Sequence, residues 1–227
     1  MEKSKLLSFH SDPAIKEKYL ARVHAHQAAD EIIKGTYWES GKGCAVGCTI
    51  HSGKHLDYEK ELGLPEWLAH LEDGIFENLP NEDAMRWPVE FLEAIPVGVD
   101  LEPVKRRFFI WLLTDETDGL INKVEDKKIK QLISVIARLW AIDAVRPLTA
   151  DEVDEGNKAA LDAQFAFETW CVLDFRYAWY LRAALDSWHV RAALDTRFVW
   201  SAWSVWNSGH AFVKKSSKKL LDLLRSM

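Results

Sequence analysis

Apolar and polar positions along this chain recur mostly at helical spacing. Ile15, Tyr19, Val23 and Ile33 make an apolar stripe. Asp12 is placed to cap that helix and Pro13 occupies its first position. Gly35, after Lys34, is the expected stop. Residues 36–43 read as a loop, followed by short helices over 44–51 and about 55–62, the second closed by Gly63. Pro65 opens a helix over Glu66–Asn78, and Asn81 caps another that bends or restarts at Pro88. Residues 96–103 are turn-like, with Asp100 capping 102–113, and 115–119 form a polar loop. Residues from about 121 to 144 put Leu132, Val135, Ile136, Leu139 and Trp140 on one face, and Thr149 with Glu152 forms a capping box. The alternation that marks strands is short everywhere; a pairing of 37–38 with 46–50 is the one the pattern admits. The expected fold class is all-α.

Helix breakers divide the chain unevenly. All seven prolines lie at or before Pro147, and only Gly156 and Gly209 interrupt the rest. This predicts a compact helical domain over 1–147 and a long Trp-rich helical region over 148–227. Arg-Ala-Ala-Leu-Asp occurs at 182–186 and again at 191–195, and Trp170, Trp179, Trp188 and Trp206 are spaced by multiples of nine. Nine residues are two and a half helical turns, so successive copies face opposite ways. A helix apolar on two sides needs neighbours on both, from its own chain or a second copy. Breaks are expected near Gly156, near 195–198 or at Gly209.

Composition narrows the classes. The chain has 227 residues, 48% of them hydrophobic, which excludes a disordered protein. Three cysteines suit a reducing compartment rather than a disulfide scaffold. No apolar run reaches the roughly 20 residues of a membrane span, and no signal-peptide pattern opens the sequence, so a cytoplasmic location is expected. A net charge of −6 argues against nucleic-acid binding. The uncharged run 198–213 also fits an interfacial membrane helix, but its serines and tryptophans fit a core or subunit contact better.

The strongest chemical signal is Cys44-x3-Cys48-x2-His51-x3-His55, whose thiols and imidazoles are zinc ligand types. Five of the eight histidines lie in the first 55 residues. Against a metal site stand Gly53, which breaks a shared helix, and the small buried character of Ala45, Val46, Thr49 and Ile50. Structural cysteines are therefore the preferred reading. No cofactor is expected on that reading; zinc on Cys44, Cys48, His51 and His55 is the alternative. In a third reading Cys44 is a nucleophile at a helix N-terminus behind Gly41-Lys42-Gly43, with His24 or His26 as its base. Glu72, Asp73 and Glu77 read as a solvated helix face.

The segments Thr-Tyr-Trp-Glu-Ser-Gly-Lys-Gly-Cys-Ala-Val-Gly-Cys-Thr (36–49), Leu-Gly-Leu-Pro (62–65) and Leu-Glu-Asp-Gly-Ile-Phe-Glu-Asn-Leu-Pro (71–80), with the Ala/Trp-rich C-terminal region, resemble an uncharacterised family of bacterial and phage helical proteins. The resemblance implies a bacterial or phage setting and no particular activity. The expectation from sequence is a helical interaction or oligomerisation module, contacting a partner through Trp179, Trp188, Trp203 and Trp206. The alternative is a metal- or thiol-dependent enzyme at the Cys/His cluster.

Overall fold

A computed structural model describes residues 5–171 and 210–227. Among the described residues the class is all-α, with nine α-helices and one small two-stranded ribbon. The helices are α1 (Pro13–Ala28), α2 (Ala45–Ile50), α3 (Asp57–Leu62), α4 (Glu66–Asn78), α5 (Asn81–Ala94), α6 (Glu102–Thr114), α7 (Lys127–Asp143), α8 (Ala150–Cys171) and α9 (His210–Arg225). Strands β1 (Trp38–Glu39) and β2 (Lys42–Gly43) pair antiparallel, Trp38 opposite Gly43. The expected partner of 37–38, residues 46–50, lies instead in α2. The chain divides into two compact units, Met1–Val104 with Val213–Met227, and Lys105–Phe212. The division falls within α6, and residues 213–227 group with the first unit. Trp179, Trp188, Trp203 and Trp206 lie outside the described residues.

Local chemistry sets most helix ends. Asp12 accepts the Ala14 N–H at 2.9 Å and Pro13 opens α1. The helix ends at Ala28, earlier than Gly35 suggested, because Ile32 is drawn into a bridge with Gly43 and Ile33 N–H donates to the Gly43 carbonyl at 2.8 Å. Asp100 takes the Glu102 N–H at 3.0 Å, and Asp126 caps α7 through Ile129 N–H at 3.0 Å. Thr149 and Glu152 cap reciprocally at 3.3 and 2.9 Å. Pro88 lies inside α5 without ending it, and α8 runs through Gly156.

The first unit is built around α4, in which eleven of thirteen residues are buried, so the helix is enclosed on every side. It packs on α2, α3 and α5, while α1 packs on α2 and α5. From α9, Val213, Ser216, Ser217, Leu220, Leu221 and Leu224 are buried at helical spacing, and Lys214 pairs with Asp83 of α5 at 2.6 Å. In the second unit α7 packs on α8, Arg138 holds both Glu155 oxygens at 2.7 Å, and Arg106 holds Asp143 at 2.6 Å.

One close backbone contact organises the segment between α1 and α3. The Tyr37 carbonyl lies so near Gly43 and Gly47 that a Cβ would meet its oxygen at 2.1 Å and 1.6 Å respectively. Both positions therefore need glycine for space rather than for dihedral freedom. Gly41, by contrast, has φ +85° with open space around it. Gly47→Ala is expected to cost about 3 kcal/mol or more, since backbone must part from backbone, and Gly41→Ala about 1–2 kcal/mol from left-handed strain alone. Urea unfolding of both variants checks this; equal costs would remove the contact's special role.

Candidate functional site

The glycine contact seats Cys44 at the start of α2. Its N–H donates to the Thr36 carbonyl at 2.7 Å and to the Tyr37 carbonyl at 3.2 Å, and its Sγ accepts the Gly47 N–H at 3.5 Å. One turn on, the Cys48 thiol donates to the Gly43 carbonyl at 3.3 Å and the Glu31 carbonyl at 3.6 Å. Both thiols are buried. Burial first, then the neighbouring Asp73 carboxylate, pushes the Cys44 thiol far above its usual range, and burial pushes Cys48 up to about 12. A carboxylate beside a thiol opposes thiolate formation, so the helix N-terminus does not activate Cys44.

Helix α2 ends on His51, which takes the left-handed conformation (φ 54°, ψ 37°) and returns its N–H to the Gly47 carbonyl at 2.8 Å. A non-glycine residue there is uncommon and strained. The turn turns the His51 ring onto Trp38, stacked at 4.3 Å and 10°. Its Nε2 lies 2.7 Å from Nε2 of His26 on α1, and the two rings are nearly perpendicular at 79°. His26 Nδ1 in turn meets Glu31 Oε2 at 2.6 Å. His51 is exposed, Glu31 half-buried and His26, between them, buried. Partial burial, then Arg22 and His26, holds the His51 imidazole below its usual pKa. Arg22 itself donates to the Thr49 carbonyl at 2.9 Å, at the end of α2.

A second pair of imidazoles is reached through Tyr37, the residue before β1. Tyr37 meets the His55 ring edge-on at 5.5 Å, and His55 stacks on His70 of α4 at 4.0 Å and 14°. His55 Nε2 faces Asp73 Oδ2 at 3.5 Å, and His70 Nε2 faces Glu66 Oε1 at 3.7 Å, both beyond hydrogen-bond range. Burial and then His55 lower the His70 pKa to about 4. Deeper still, Tyr58 donates to Glu72 Oε2 at 2.5 Å, and burial drives the Glu72 carboxyl well above its ordinary range. Glu72, Asp73 and Glu77 are buried, contrary to the solvated face expected of them. Periodicity fails here because α4 has no solvent side.

The predicted zinc set is thereby split: His51 goes to the first pair, His55 to the second, and Cys44 and Cys48 bond to the backbone around them. Among the described residues no three His, Cys, Asp or Glu side chains are placed to hold one metal ion. The stacked rings of His55 and His70 explain part of this, since parallel imidazoles send their lone pairs side by side. Of the predicted bases, His26 joins His51, while His24 is exposed on α1. Sequence reading missed Glu31, Trp38, Tyr58 and His70. Only the spacing of Glu66, His70, Asp73 and Glu77 (i, i+4, i+7, i+11) carried a signal, a titratable stripe along one helix face. Comparison with family models, curated proteins and solved structures finds no match.

Glu77 gives this polar interior a pH dependence. Its two oxygens accept the Gly35 N–H at 2.9 and 3.2 Å. Burial outweighs that bond and Lys34, and with Asp73 raises the carboxyl to about 7. The folded pKa therefore exceeds the unfolded one, so the fold loses stability as pH rises from about 4.5 to about 7. Glu77→Gln should flatten that part of the stability–pH curve, measured by denaturant unfolding between pH 4.5 and 7.5. An unchanged slope would assign the dependence to other groups.

Proposed function

We propose that the first unit carries a general-base catalytic centre made of His51, His26 and Glu31, acting on a hydrolysable substrate at the surface. The unbroken run of contacts from Glu31 Oε2 through His26 to His51, 2.6 and 2.7 Å long and ending on an exposed ring, carries the reading. If His26 Nδ1–H donates to Glu31, the neutral ring offers a bare Nε2. His51 must then supply Nε2–H, which leaves its Nδ1 as the basic atom. A proton taken from water at Nδ1 is matched by Nε2–H moving towards His26, where Glu31 steadies the developing charge. Trp38 and the left-handed turn fix the ring's direction, as a base held for catalysis requires.

The depressed pKa of His51 means that its free-base form is already populated at neutral pH. Turnover of 4-nitrophenyl acetate tests the centre. The rate should rise with pH to a plateau reached before the usual imidazole range ends. His51→Asn, which tolerates the left-handed backbone, should lower the rate about 10²-fold or more, and Glu31→Gln by a smaller factor. Wild-type rates in both variants would sink the proposal.

A further inference from the structure

The same pair of imidazoles has a second chemistry that needs no turnover. We infer that His26 and His51 together take a first-row divalent cation of the zinc, nickel and copper class on their two Nε2 atoms. Three observations carry this. The Nε2 atoms face one another at 2.7 Å, so a proton must now sit between two lone pairs that would otherwise repel. The rings are set at 79° rather than stacked, so with a small outward shift of His51 their lone pairs meet at one point. The His55–His70 pair at 14° lacks that property. Finally, the Glu31 carboxylate already holds Nδ1 of His26 at 2.6 Å, the outer partner that metal-binding histidines ordinarily have.

A cation would replace the shared proton, each nitrogen moving to about 2.0–2.1 Å from the metal. Two protein ligands leave the remaining positions to water, on the exposed side of His51. The site is therefore an open one, of exchangeable rather than structural character. Charge around His51 is mixed: Glu31 and Glu61 favour a cation and Arg22 opposes it. Protons compete for the same nitrogens, so affinity falls as pH drops.

Calorimetric titration of the full chain with Zn²⁺ at pH 7 tests the inference, because heat is read whether or not the protein turns over an ester. One Zn²⁺ per chain is expected. His51→Asn and His26→Gln should each abolish that binding, while Glu31→Gln should weaken it about 10–100-fold. His24→Asn, on the same helix, should leave it unchanged. Circular dichroism melts establish that each variant is folded, and His51→Asn at an exposed position keeps the test available if His26→Gln unfolds. Absence of Zn²⁺ binding by the wild-type chain, or undiminished binding by folded His51→Asn, would overturn the inference.

Discussion

The approach of the Tyr37 carbonyl to Gly43 and Gly47 is the contact on which the candidate site depends. It presses the bend before β1 onto the start of a six-residue helix that has little helical stability of its own. Tyr37, in the bend before β1, meets one histidine pair, and Trp38, the first residue of β1, meets the other. Helix α2 then ends in a left-handed residue, which swings His51 back towards α1 and sends the chain on to His55. Two glycines four apart thus hold the segment that carries Tyr37, Trp38 and the start of the helix ending at His51. The two thiols of the same motif bond to the backbone and help hold the strand, ribbon and helix together.

The two histidine pairs have opposite physical characters. The pair that includes the exposed His51 is perpendicular, hydrogen-bonded and backed by a carboxylate. The inner pair is stacked and set against buried carboxyls, and burial keeps His70 uncharged at neutral pH. Burial is the largest influence on His70, Glu72 and Glu77 alike. It favours the uncharged forms of all three, which lets a helix bearing carboxyl side chains be enclosed by other helices.

Where a helix end depends on the residues beside it, the sequence was readable: Asp12, Asp100 and the Thr149–Glu152 box cap as expected. Where an end depends on a distant partner it was not. Gly35 looked like the stop of α1, but Ile32 and Ile33 are engaged by Gly43 and the helix ends before them. That 213–227 group with the first unit was not legible either, since proline spacing does not report which segments pack together. The histidine-rich start was visible, but pairing across 25 positions between His26 and His51 was not, because nothing in their spacing encodes it. Glu72, Asp73 and Glu77 were misplaced because polarity is a poor guide to burial in an enclosed helix.

The return of 213–227 to the first unit bears on synthesis. Everything from Lys105 to Phe212 must leave the ribosome before α9 can reach α5. Until then the leading unit waits with part of its apolar surface open, Asp83 lacking its lysine. Joining chain ends across so long an insertion carries an entropic cost that grows only with the logarithm of its length, so delay rather than equilibrium is the main penalty. During that interval a nascent chain would be exposed to chaperones and proteases that the finished protein excludes.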